Sequence, residues 1–175
     1  MVFVITGGPG FGKTTVINHL AEKGYLVGIE GARKLLDISA GSNWPEGPAK
    51  LPVDFEKEIA SERLSFLNSV DPNSIAFADR GLPDQIAYSW YKDKIPSTFI
   101  EDLVSVNRYA PVVFVTPPWE AIFIQDEIRR ETFAQAKAIH DLILKVYLKY
   151  GYEIVDLPLQ NPELRVNFIQ DFLGI

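Results

Sequence analysis

The sequence contains no cysteine. Disulfides, thiol nucleophiles and cysteine-based zinc sites are thereby excluded. Histidine is almost as scarce: His19 and His140 are the two present. They fall in separate helical segments without plausible partners, so no metal–histidine site is expected and both are read as structural. Basic residues are in the minority, with 17 Lys and Arg against 23 Asp and Glu and a formal net charge of −6. A nucleic-acid footprint normally needs a basic face, so nucleic acid is not an expected partner. A local arginine cluster inside a cleft remains compatible with that balance. No apolar run approaches the roughly 20 residues needed to span a bilayer. The opening "MVFVITGG" is too short for a signal peptide and lacks its basic start. It reads instead as a first strand, and a cytoplasmic protein without membrane partners is the default.

What the chain does have is apolar material. Hydrophobic residues make up 47% of its 175 positions, ample for one core, and a single domain over 1–175 is expected. "VFVIT" (2–6) reads as a strand buried on both faces of a parallel sheet. A helix over 13–23 follows, with Val16, Ile17 and Leu20 on one side and Gly24 as its stop. "YLVGIE" (25–30) is a second strand and "ARKLLDIS" (32–39) a short helix. The Gly- and Pro-rich stretch 40–52 reads as a mobile loop. A helix is expected over 54–69, a third strand over 74–79, and a helix over 82–91. Thr98 and Glu101 fit a capping box that opens a helix toward Arg108. The fourth strand is placed at 111–116 and a proline-initiated helix at 118–130. A second capping box at Thr132 and Gln135 opens a long helix that Gly151 closes. The fifth strand is 152–157, and Asn161-Pro162 starts the last helix. Strands alternating with helices imply an α/β fold of three layers: a five-stranded parallel sheet with helices on both faces.

The chemistry starts at "TGGPGFGKTT". Gly7 to Thr14 fits G-x-x-x-x-G-K-[ST], lying between a strand and a helix as the motif requires. Gly8, Pro9, Gly10, Phe11, Gly12, Lys13, Thr14 and Thr15 are the expected nucleotide-binding residues. Glycines let successive N–H groups turn inward around a phosphate, and the helix N-terminus adds its positive end. Lys13 is expected to reach the β- and γ-phosphates, and the Thr14 hydroxyl to ligate Mg²⁺. Asp79 ends the third strand, where carboxyl ends face the ligand in this class of sheet. It suits a metal ligand or a base for an attacking hydroxyl. Glu30 ends the second strand with Arg33 three residues on, and both are candidate acceptor-side residues. Asp84 and Tyr88 are candidates for lining the same pocket, and Trp44 for stacking on a planar acceptor. By its resemblance to the corresponding loop of related kinases, Leu157-Pro158-Leu159 is a candidate border for the adenine.

Asp79 is followed by Arg80, where motor-type ATPases place a water-activating Glu. An Asp-Arg pair here resembles the small P-loop kinases, such as thymidylate and deoxynucleoside kinases. That resemblance implies that Arg80 meets the acceptor and that Glu30 orients the acceptor hydroxyl or takes its proton. It also implies a lid around 126–133 in which Arg129 and Arg130 close over the γ-phosphate. No N/T-K-x-D motif for reading guanine follows. The strings "ITGGPGFGKTT", "EGARKLL", "ADRGLPDQIAY", "VFVTPPWEAIFIQDEIRRET" and "AIHDLILKVYLKYGYEIVDLP" together resemble a small P-loop family known as an AAA-like domain of ATPases or kinases. Its wider relatives include ribosylnicotinamide kinase domains. The chain lacks the second-region homology and Asp-Glu pair of true AAA+ machines. The resemblance implies ATP, with GTP as the other candidate, together with Mg²⁺ and a small-molecule acceptor.

The expected function is therefore a nucleoside- or nucleotide-kinase-like phosphotransferase. The catalytic candidates are Lys13, Glu30, Asp79, Arg129 and Arg130. Arg33, Arg80 and Asp84, with Glu30, are the acceptor candidates, and Thr14 and Asp79 the metal ligands. The alternatives are a regulatory ATPase or GTPase that signals nucleotide state to a protein partner, and a binding module with degraded catalysis.

Overall fold

A computed structural model describes residues 1–29, 53–124 and 131–175. Five parallel strands lie in the order β2-β3-β1-β4-β5. They are β1 (Val2–Thr6), β2 (Leu26–Gly28), β3 (Ala76–Asp79), β4 (Val112–Val115) and β5 (Glu153–Asp156). Six α-helices are described: α1 (Lys13–Glu22), α2 (Val53–Ser69), α3 (Leu82–Tyr91), α4 (Thr98–Val106), α5 (Phe133–Lys149) and α6 (Pro162–Leu173).

The central strand β1 is buried at all five positions. Its side chains alternate between two cores, as a pleated strand with helices on both sides must. Val2 and Val4 join Val113, Val115, Leu82, Ile86, Ile139 and Ile143 on the face covered by α3 and α5. Phe3 and Ile5 join Phe77, Phe114, Val16, Leu20, Val166 and Ile169 on the face covered by α1 and α6. The expected strands thus form, β1 at its expected bounds and the other four shorter than their apolar runs. The order follows from apolar content: the richest strand takes the middle, and the three-residue β2 takes an edge with Leu26 exposed.

Two expectations are corrected. The helix placed at 118–130 is only a 3-10 turn, Glu120–Ile122, over its described part. Phe123 leaves the helical path to pack its ring against Phe11 and Phe133, at 6.3 and 5.4 Å between centroids. Tertiary packing outweighs the local propensity there. The cap of α4 is Ser97, not Thr98: its side chain accepts from the Ile100 N–H, and its carbonyl accepts from Glu101 N at 3.1 Å. The capping box at Thr132 and the N-cap at Asn161 form as expected. The helix expected at 32–39 and the loop at 40–52 lie outside the described residues.

Candidate active site

The carboxyl ends of β1, β3 and β4 converge on the glycine-rich loop. Asp79 is level with Ile5 in the β1–β3 register, one residue below the loop's approach. Gly7 has φ 133, and a Cβ there would lie 2.5 Å from the Thr116 carbonyl oxygen, so no side chain fits at the loop's entry. Lys13 is buried, and its Nζ donates to the Gly8 carbonyl at 2.7 Å. Thr14 Oγ1 donates to Asp79 Oδ2 at 3.2 Å. A loop hydroxyl and a strand-end carboxylate are therefore adjacent, the pair of hard oxygens that Mg²⁺ takes together with nucleotide phosphates. Among the described residues no three His, Cys, Asp or Glu side chains converge. A cation here would rest on Thr14, Asp79 and the nucleotide's own oxygens.

A loop that aims its N–H groups inward must aim carbonyls elsewhere, and buried carbonyls need donors. Two arginines supply them. Arg80 Nη1 donates to the Gly7 carbonyl at 3.1 Å and to Asp84 Oδ1 at 3.1 Å. On the other flank Arg165 Nη1 donates to the Phe11 carbonyl at 3.3 Å. Arg80 has φ 72. A left-handed non-glycine backbone costs on the order of 1–3 kcal/mol, and such strain concentrates at functional sites.

Asp84 is fully buried and saturated with donors. Thr6 Oγ1 donates at 2.5 Å, Tyr147 Oη at 2.6 Å and the Gly81 N–H at 2.9 Å, in addition to Arg80. Burial pushes its pKa up. The charges of Arg80 and Arg63 and the bonds from Thr6 and Tyr147 outweigh this and hold it below the usual carboxylate range. Arg80 and Asp84 thus form a buried ion pair beneath the loop that ties α3 and α5 to Gly7, and Arg80 also lines the cleft beside it. The guanidinium of Arg80 also lies 5.3 Å from the ring centroid of Tyr88.

On the β2 side of Asp79 a small cleft opens to solvent. Gly28, Ile29, Glu62, Arg63, Phe66, Ala78, Asp79, Arg80 and Tyr109 line it. Glu62, Arg63 and Phe66 come from α2 and were not anticipated from the sequence. Arg63 donates to the Gly81 carbonyl at 3.0 Å. Its Nε is enclosed without a hydrogen-bond partner among the described residues. The Phe66 and Tyr109 rings supply apolar walls. Glu30, Arg33, Trp44, Arg129 and Arg130 lie outside the described residues.

On the opposite flank His140 meets Phe11 edge-on at 5.8 Å, and burial draws its pKa below the ordinary value. His19 stays near its own helix, its Nδ1 3.0 Å from the Thr15 carbonyl. Pro158 turns its carbonyl toward Arg165 Nε at 2.9 Å.

A family model described as an AAA domain matches residues 2–165. No curated protein matches the chain by sequence. Among solved structures, deoxyadenosine kinase from M. mycoides, with dCMP and a flexible dCDP bound as products, aligns with a TM-score of 0.71 at 14% identity over 99% of each chain. Thymidylate kinase from Ehrlichia chaffeensis aligns with a TM-score of 0.63 at 15% identity over 98% of each chain. NadR protein in complex with NR gives 0.72 at 16% identity over 99% of this chain and 51% of that one. At these identities the likeness shows a shared fold, that of the small P-loop kinases.

Proposed function

We propose that this chain, which belongs to the AAA-domain family and has the fold of small P-loop kinases, is an ATP- and Mg²⁺-dependent phosphotransferase for a small hydroxyl-bearing acceptor of nucleoside or nucleotide type. One observation carries the reading: Asp79 belongs both to the loop, through Thr14, and to the wall of the neighbouring cleft. Hydrolysis needs room for a water beside the γ-phosphate. A second compartment with aromatic walls and an arginine suits a planar acceptor.

The residues divide the work. Backbone N–H groups from Gly8 to Thr15 cradle the phosphates. Lys13 exchanges the Gly8 carbonyl for phosphate oxygens. Thr14 and Asp79 offer the oxygens for Mg²⁺, which when bound neutralises charge on the bridging phosphate oxygens. Asp79 or Glu30 accepts the proton of the acceptor hydroxyl as it attacks the γ-phosphorus, and ADP leaves. Arg63, at the cleft wall, and Arg33 position the acceptor. Arg80 and Asp84 support the same cleft from beneath. Arg129 and Arg130 close over the γ-phosphate and exclude water.

ADP release from ATP and Mg²⁺, followed across nucleosides and nucleoside monophosphates, tests this. At least one acceptor should raise the rate about a hundredfold over the acceptor-free value, as positioning of the second reactant requires. Arg63→Ala should raise that acceptor's KM while the KM for ATP stays within about twofold. A rate indifferent to every acceptor would contradict the reading.

A further inference from the structure

The two arginines that hold the loop's outward carbonyls are not equivalent. Arg80 has a carboxylate at 3.1 Å, in a pair whose side chains are 4% and 0% exposed. Its charge is matched inside the protein. Arg165 lies one turn into α6, is 2% exposed, and is the largest fully buried side chain described. Its partners are two carbonyls, those of Phe11 and Pro158, and the ring of Trp119, whose centroid is 4.9 Å from Cζ. Nη2 is enclosed without a hydrogen-bond partner among the described residues. Burial alone draws its pKa down.

A buried guanidinium with an unmade bond and no matching anion costs free energy. A core position on α6 spaced four residues before Ile169 would be filled at less cost by an aliphatic residue. The location gives the charge a use. Gly12 has φ 85, and a Cβ there would lie 3.3 Å from Arg165 Nη1. The guanidinium is thus packed directly behind the loop that precedes Lys13. That loop is the one expected to seat polyphosphate.

We infer that Arg165 is a positioning residue of the donor loop, and that its charge, unmatched by a carboxylate among the described residues, is matched by the phosphates of the bound nucleotide. It fixes the Phe11 carbonyl outward, so that the neighbouring N–H groups point inward. It also adds positive potential that grows in effect with each phosphate the ligand carries. This rests on the donor-site reading above. It goes further by assigning a residue outside the loop motif, on the last helix, to discrimination between triphosphate and shorter nucleotides.

Equilibrium titration of ATP, ADP and AMP against the full chain tests it, with melting curves to check folding. Arg165→Gln should weaken ATP about tenfold or more, ADP less, and AMP within about threefold, because a point charge is felt in proportion to ligand charge. Arg165→Lys keeps the charge and should stay within about threefold of wild type for ATP. Should Arg165→Gln not fold, Trp119→Glu sets a carboxylate over the guanidinium while Arg165 stays. It should reproduce the graded loss, whereas Trp119→Gln should not. Equal losses for all three nucleotides, or Arg165→Lys as weak as Arg165→Gln, would overturn the inference. Failure of the wild-type chain to bind ATP at all would instead overturn the donor-site reading itself.

Discussion

At the scale of single residues, Asp84 is the buried carboxylate on which the hydrogen bonds beneath the loop converge. Four donors from three parts of the chain meet one carboxylate that is fully buried. Breaking a buried ion pair from one side leaves the other charge uncompensated, at about 3–5 kcal/mol. Asp84→Asn should therefore lower unfolding stability by that amount in urea titrations at neutral pH. The sign of the pH effect follows from the lowered pKa. Stability from the ionised carboxylate is complete above its unfolded value of 3.8 and is lost as pH falls through the lower folded value. The wild-type chain should lose stability across that acid window, and Asp84→Asn should lose correspondingly less. In the sequence Asp84 and Arg80 stood out by following Asp79, yet their depth was invisible, because Thr6 and Tyr147 reach them from 78 and 63 residues away. Arg63 and Arg165 escaped notice for the complementary reason. Each sits within an ordinary amphipathic helix. The one local signal was a charged residue at position 165, on the stripe shared with Ile169.

At the scale of elements, the pattern of apolar runs was readable and the ends were less so. Strand runs, glycine stops and two of three caps follow from local chemistry that a sequence carries in full. The α4 start shows where that stops. Ser97 and Thr98 are both competent caps, and Glu101 fits a box with Thr98. The chain nevertheless begins its first i→i−4 bond at the Ser97 carbonyl. Ser97→Ala should cost about 1 kcal/mol, the usual worth of an N-cap, while Thr98→Ala should stay within about 0.5 kcal/mol. Paired thermal melts of the two variants check this, and a larger loss for Thr98→Ala would contradict the observed cap. The turn at Glu120–Ile122 marks the other limit. Phe123 is drawn to Phe11 and Phe133 by contacts that no window of neighbouring residues contains.

At the scale of the whole molecule, the strand order places a phosphate loop at the sheet's centre and divides the space around it. The β4–β5 side carries Trp119, Pro158 and Arg165, packed on one another. The β2–β3 side carries the cleft with Arg63, Phe66 and Tyr109. Asp79 stands at the division. The loop itself was legible from the first fourteen residues, whereas the two-sidedness required the fold. On the proposed function, the γ-phosphate crosses from one side to the other rather than passing to water. A single-turnover experiment addresses this most directly: the chain is loaded with Mg²⁺ and γ-labelled ATP, then mixed with a pool of nucleosides and nucleoside monophosphates, and the label is traced. Most of the label should appear on an organic acceptor. Label recovered wholly as inorganic phosphate, at a rate the pool does not change, would contradict it.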